Sequence, residues 1–118
     1  MTTETKTELG RIVVTDDLIA TIAGYAAIEN YGIVGMCAKR AGDSFVELFG
    51  RDNLKKGVKV KPVGSNTVDV DLFVTLQYGV SLPAVAENVK SNVKYRLEEM
   101  VGVDVRGVNI FVESIRVQ

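Results

Sequence analysis

The chain has 118 residues, of which 47% are hydrophobic, and its formal net charge at pH 7 is −1. A chain of this length fits one domain with its own core, and a charge near zero gives no overall attraction to nucleic acid or an anionic membrane. The sequence has no histidine and a single cysteine, Cys37. A Ser-His-Asp site, a Cys-His site and a Cys/His zinc site are therefore excluded within the chain, and we expect a non-enzymatic protein without metal or cofactor.

The first eight residues are polar and include no apolar segment. We expect residues 1–8 to be a flexible N-terminus, neither a signal peptide nor a membrane anchor, followed by a single domain over residues 9–118. No stretch approaches the roughly 18–20 apolar residues that a membrane span needs. These features predict a cytoplasmic protein without a transmembrane segment.

Alternation of apolar and polar residues predicts a first strand over residues 10–15, and helical spacing predicts a helix from there to about Glu29. Thr15 or Asp16 is suited to cap that helix. The helix is rich in alanine and contains Gly24, so another backbone can approach it closely, with packing on a sheet as the simplest reason. Residues 33–38 are expected to form a strand, and residues 42–49 a short helix.

The clearest hairpin in the sequence joins residues 58–61 to residues 68–76. Both segments alternate, and the residues between them include Pro62, Gly64 and Asn66, which favour a turn. If the hairpin is symmetric about Ser65, Lys61 faces Asp69 and Lys59 faces Asp71. The charged side chains then occupy the outer face of the hairpin, and the valines and Leu72 occupy the inner face.

A third helix is expected to begin after Ser81, with Pro83 tolerated in its first turn, and to end at Gly102. In the last strand the apolar positions change parity twice, which predicts bulges near Gly107 and near Glu113. The predicted order is β-α-β-α-β-β-α-β. An α+β fold follows, with the helices packed on a mostly antiparallel sheet.

Three other features have a catalytic or binding interpretation that we consider weaker than a structural one. The segment 32–35 has the GxxG spacing of KH nucleic-acid clamps, but its two middle residues are apolar, and Gly32 is suited to end a helix. Cys37 has apolar residues of both parities around it, so burial is expected rather than reactivity. Asp69 and Asp71 lie about 7 Å apart on one strand face, yet facing lysines would keep both ionised.

The only concentration of charge lies in residues 51–61, which carry five cations and one anion. Such a run is usually a solvated loop and hairpin face, but it can also contact an acidic partner or anionic headgroups. The candidate contact residues are Arg51, Lys55, Lys56, Lys59 and Lys61.

Three segments together resemble a known family. They are the stretch Tyr31-Gly32-Ile33-Val34-Gly35, the tripeptide Val93-Lys94-Tyr95, and the ending that contains Val108-Asn109-Ile110-Phe111-Val112. In this combination the chain resembles the alkaline-shock and general-stress protein family of Gram-positive bacteria, in its short single-domain form. We take Tyr31, Gly32, Gly35 and Asn109 as the family signature.

The resemblance implies a role in the cell-envelope stress response and transfers no catalytic residue. It leads to the expectation of a non-enzymatic adaptor or scaffold that acts by protein–protein contacts, including self-association as a homo-oligomer. Some longer members are held at the membrane by an anchor protein, so the implied location is the cytoplasm, or the membrane periphery through a partner.

Two alternatives remain open. Short members are similar to products encoded beside a fatty-acid kinase component, which implies a regulatory partner of such a lipid enzyme. The GxxG segment implies a KH-like nucleic-acid binder, although the overall charge makes nucleic acid an unexpected partner.

Overall fold

The computed structural model describes residues 2–7, 9–39, 45–48 and 51–117 of the chain. Within these ranges it is an α+β structure with helices packed on one face of a mostly antiparallel sheet, which confirms the predicted fold class. The elements are β1 (Thr2–Thr7), β2 (Gly10–Thr15), α1 (Asp16–Ile28), β3 (Ile33–Lys39), β4 (Phe45–Leu48), the 3-10 helix η1 (Arg51–Gly57), β5 (Val58–Pro62), β6 (Thr67–Gln77), α2 (Leu82–Met100) and β7 (Asp104–Arg116).

Strand β6 is the centre of the main sheet. On one edge it pairs antiparallel with β5 along its first half and with β3 along its second half, and β4 continues the sheet beyond β3. On its other edge β6 pairs with β7 in parallel over its whole length. A parallel neighbour requires a crossover connection, and α2 is that crossover. The apolar side chains of β6 alternate toward α1 and α2 and form the core with them.

Both long helices begin at the residues that the sequence predicts. The Thr15 hydroxyl accepts a hydrogen bond from Leu18 N at 3.2 Å, and the Ser81 hydroxyl accepts one from Ala84 N at 3.4 Å. Each bond satisfies an amide that the first helical turn leaves without a partner. Neither α1 nor α2 is long and apolar enough to cross a membrane.

The small residues of α1 allow close approach, but the closest neighbour at Gly24 is η1 rather than the sheet. A methyl group at Gly24 would lie 3.2 Å from both Leu54 Cβ and Leu54 O. Ala23 and Ala27 of the same helix are fully buried. The thin helix therefore lets η1 pack against it.

The expected helix over residues 42–49 is wrong where the structure describes it. Phe45–Leu48 is strand β4, and it pairs antiparallel with β3 from Met36↔Leu48 to Lys39↔Phe45. The other residues of that prediction lie outside the described ranges. A four-residue apolar cluster is too short for its spacing to separate helix from strand, and pairing with the edge of β3 satisfies its backbone groups.

The two bulges expected in the last strand are confirmed. The β6–β7 register shifts between Val68 and Asp69, where Arg106 is the extra residue, and between Val74 and Thr75, where Glu113 is. Each bulge restores the apolar side chains of β7 to the core face.

An additional strand, β1, pairs antiparallel with β2 from Thr2↔Thr15 to Thr7↔Gly10. The sequence did not predict it, because threonine, glutamate and lysine alternate there without an apolar face. The expectations that residues 1–8 are flexible and that residues 9–118 form the single domain remain predictions.

Candidate interaction surface

The face of the main sheet opposite α1 and α2 carries charged, polar and aromatic side chains. Because side chains alternate along a strand, Val70, Leu72 and Val74 point into the core and the residues between them point to the opposite face. We call this second face the outer sheet face. It is defined by Lys59, Lys61, Asp71, Phe73, Asn109 and Phe111.

The β5–β6 hairpin has the register that the sequence predicts, with Lys61 opposite Asp69 and Lys59 opposite Asp71. The ion pair, however, is diagonal. Lys61 Nζ lies 2.7 Å from Asp71 Oδ2, not on the carboxylate directly opposite it. The reason is that Asp69 is already bound from the other side by Arg106, which contacts both carboxylate oxygens through Nε (3.1 Å to Oδ1) and Nη2.

Asp71 is a buried carboxylate on the outer sheet face. Burial by itself raises its pKa, but the hydrogen bonds from Lys61 and Asn109 and the charges of Lys61 and Lys59 together outweigh burial, so the pKa of Asp71 is below its ordinary value. Asn109 Nδ2 donates to Asp71 Oδ1 at 3.0 Å. Asp71 is therefore held ionised by its neighbours and is poorly suited to donate or accept protons near neutral pH.

An aromatic pair lies beside this charged group. The rings of Phe73 and Phe111 stack with centroids 4.9 Å apart and an angle of 14° between their planes. Phe111 is 42% exposed. Aromatic side chains are enriched at protein–protein contact sites relative to the rest of a protein surface.

Phe73 of this pair borders a cavity at the place where β3 and β5 diverge along the edge of β6. The cavity has a volume of about 380 Å³ and is lined by Ala38, Lys56, Lys59 and Phe73. Lys56 and Lys59 are exposed. Two of the five predicted contact cations thus lie next to the aromatic pair.

The structure does not bring all five predicted cations together. Lys61 is engaged with Asp71, whereas Lys55 is directed toward α1, where its Nζ lies 3.1 Å from Asp17 Oδ2. Arg51 begins η1, and its side chain lies outside the described part of the molecule. The lysine side chains of the predicted basic run therefore point in two directions. Arg106, which lies outside that run, adds a cation to the outer sheet face.

Sequence reasoning missed Arg106, Phe73 and Phe111. All three meet their partners only because β7 pairs in parallel with β6, a neighbour more than thirty residues away in the chain. The one available signal was the parity of the residues around the predicted bulges. It indicates which residues share a face, but it does not say which strand lies next to them.

The signature residues lie in two places. Tyr31 is 82% exposed, and Gly32 follows it with a φ of +95° against Val85 of α2. Gly32 lies beside the end of β6, because its O accepts a hydrogen bond from Gln77 N. Asn109 lies beside Asp71, which is six residues before Gln77 in β6. At strand spacing the two places are about 20 Å apart. The signature is therefore not one site.

The GxxG segment is not an exposed loop between helices. Ile33, Val34 and Gly35 belong to β3, and Ile33 is buried in the core. A KH clamp needs a loop that can approach a nucleic-acid backbone, so this geometry does not favour the nucleic-acid interpretation. Cys37 is buried, as the sequence predicts, with its Sγ 3.0 Å from Thr75 Oγ1.

Comparison with known proteins identifies relatives over almost the full chain. The uncharacterized protein YloU of Bacillus subtilis (strain 168) is 36% identical over 118 residues, covering 99% of this chain and 98% of its own. The uncharacterized protein Spy1614 of Streptococcus pyogenes serotype M6 is 38% identical over 118 residues, covering 99% and 97%. The uncharacterized protein YqhY of Bacillus subtilis is 34% identical over 110 residues, covering 93% and 80%. No solved structure matches the chain significantly.

A family model also matches residues 4–117. It is that of the alkaline-shock protein family, which is described as having a cell envelope-related function. This match and the Gram-positive relatives confirm the resemblance found in the sequence. The chain therefore belongs to the alkaline-shock protein family, whose function is related to the cell envelope.

Proposed function

We propose that this protein is a non-enzymatic adaptor of the cell-envelope stress response, and that the outer sheet face binds its protein partner. The observation that carries the proposal is the Phe73–Phe111 pair, which is stacked, partly exposed and bordered by cations. The envelope-related family supplies the cellular context.

The charges of the outer sheet face favour a partner with acidic groups around an apolar anchor. Lys56 and Lys59 are exposed beside Phe73, whereas the carboxylates of Asp69 and Asp71 are each occupied by a cation of this chain. The face consequently presents positive charge next to an aromatic surface. Charge of this kind mainly speeds association and selects among partners, while the aromatic pair provides most of the affinity.

The location that fits this proposal is the cytoplasm, with the protein held at the membrane periphery by a membrane-anchored partner. A component of a fatty-acid kinase is the alternative partner. It would make the protein a regulatory subunit rather than a scaffold.

The test is affinity co-purification from the native host at mild salt, with mass spectrometry of soluble and membrane fractions. We expect the variant Lys56→Glu/Lys59→Glu and the variant Phe111→Ser to lose a partner that the unmodified chain retains, each by at least tenfold in recovered amount. The matched control is Lys55→Glu/Lys90→Glu, which makes the same change in net charge away from the outer sheet face and should retain the partner.

Each outcome has a distinct meaning. Loss with Lys56→Glu/Lys59→Glu and with Phe111→Ser, but not with the control, supports the adaptor, and the identity of the partner separates an envelope anchor from a kinase component. Equal recovery with all variants contradicts the assignment of the outer sheet face. Copurifying RNA that is lost in Lys56→Glu/Lys59→Glu would support nucleic-acid binding instead.

A further inference from the structure

Strand β7 has a long edge that no described strand covers. It runs from Asp104 to Arg116 and pairs through its other edge with β6. Val112 is 39% exposed and Ile115 is 49% exposed on the same strand. The edge of a thirteen-residue strand that has no described strand beside it and carries exposed apolar side chains is a template for pairing with another strand.

The hydrogen bonds at the two ends of β7 show which backbone groups face this open edge. Asp104 N donates to Asn66 O at 2.8 Å, and Arg116 O accepts from Tyr78 N at 2.9 Å, so both residues face the β6 side. The backbone N–H and C=O groups of successive residues point to opposite edges of a strand, and each bulge shifts this alternation by one residue. With the observed register, the residues facing the open edge are Val105, Val108, Ile110, Val112 and Ile115.

The first of these residues is capped by α2. Val105 N donates to Glu98 Oε2 at 3.3 Å, and Val105 O accepts from Lys94 Nζ at 3.2 Å. These two contacts confirm that Val105 faces outward. Among the described side chains, none forms a hydrogen bond with the outward groups of the other four residues.

From this arrangement we infer that two copies of the chain pair antiparallel through β7, about a twofold axis at Ile110. The set of outward-facing residues maps onto itself under that axis: Val105 meets Ile115 of the second copy, Val108 meets Val112, and Ile110 meets Ile110. Every outward group therefore meets another outward group, which is the condition for a regular antiparallel ladder. The bulged segments 106–107 and 113–114 lie opposite each other under the same axis, so the bulges do not interrupt the register.

Side-chain chemistry matches the same axis. Val112 and Ile115 lie on the core face of the sheet but remain partly exposed. In the pair they are neighbours of Val108 and Val105 of the second copy, both of which are buried beneath α2. Asp104 lies opposite Arg116 of the second copy, which places opposite charges together at each end of the ladder.

The contacts of Lys94 and Glu98 with Val105 are replaced in this pair. Both side chains already lie at the surface, with exposed fractions of 55% and 33%, so they can turn to solvent while remaining paired with each other. The self-matching of the edge favours a second copy over a strand of unrelated sequence, because an arbitrary strand need not reproduce the bulge positions. This inference does not depend on the partner proposed for the outer sheet face.

The test is sedimentation equilibrium of the purified full chain over a range of concentrations. We expect the unmodified chain to reach twice the mass of one chain. The variant Val112→Pro removes an outward amide without removing a β6 hydrogen bond, so it should retain its circular dichroism spectrum and weaken dimerisation at least tenfold. Val112→Lys should do the same. Val13→Lys, a matched change at a partly exposed valine of β2, should leave the dimer intact.

A crosslinking experiment tests the register. In a Cys37→Ser background, Ile110→Cys places two thiols opposite each other, with Cα atoms about 5.5 Å apart in a hydrogen-bonded pair, which is within disulfide range. Ile115→Cys is the control, because the two cysteines at position 115 would lie at opposite ends of the ladder. Only the Ile110→Cys variant should therefore form a disulfide dimer under mild oxidation.

The inference is overturned by a single-chain mass at every concentration, by a dimer that Val112→Pro leaves unchanged, or by crosslinking at position 115 rather than at 110. Loss of the dimer alongside normal capture of the envelope partner would leave the proposed function standing.

Discussion

The fold holds Gly32 in a conformation that favours glycine. Its φ of +95° is a conformation that side chains rarely adopt, and a methyl group there would lie 2.8 Å from Val85 Cγ2 of α2. We expect Gly32→Ala to lower the free energy of unfolding by roughly 1–3 kcal/mol, measured by urea denaturation. Gly79→Ala is the control, because Gly79 has the same φ with no atom within 4 Å. Equal losses in the two variants would show that the Val85 contact has no effect.

Asp71 leads to a prediction about how the stability of the fold depends on pH. Its pKa is lowered in the folded protein, so its contribution to stability is complete above the pKa of an unfolded aspartate and is lost as pH falls through the folded value. Asp71→Asn should cost about 1 kcal/mol at pH 7, because it removes the charge that binds Lys61. The difference from the unmodified chain should shrink as the pH falls below about 4. Thermal melts from neutral pH down to well below that value measure this, and a constant difference would contradict it.

The contact between η1 and β3 positions the basic side of the candidate surface. A methyl group at Gly57 would lie 2.8 Å from Cys37 O and 2.9 Å from Met36 Cβ. These neighbours are a backbone atom and a buried side chain, so Gly57→Ala should cost roughly 1–3 kcal/mol of unfolding free energy, because neither can move without cost. Gly64→Ala in the β5–β6 turn meets Thr67 only at 3.6 Å and should be nearly neutral. Denaturant melts of the two variants provide the comparison.

The two faces and the open edge of the main sheet have different proposed roles. One face packs against α1 and α2, the outer sheet face is assigned to an envelope partner, and the open edge of β7 is assigned to a second copy. A twofold axis at Ile110 would place the two outer sheet faces side by side, so one dimer would present two partner-binding surfaces. We therefore expect Val112→Pro to weaken partner binding only through lost bivalency, whereas Phe111→Ser should weaken it in both monomer and dimer. Partner titrations on the two variants distinguish these effects.

The local features of this protein can be predicted from its amino-acid sequence. The caps at Thr15 and Ser81, the hairpin register and the two bulges of β7 all follow from neighbouring residues, because propensity, capping and parity act over a few positions. The family also followed, because its segments can be read directly along the chain. Three features could not be predicted in this way: residues 45–48 are a strand, Arg106 rather than Lys61 binds Asp69, and Phe73 stacks on Phe111. Each of these depends on which strand lies beside which, and that is set by burial of the whole apolar surface rather than by any local pattern.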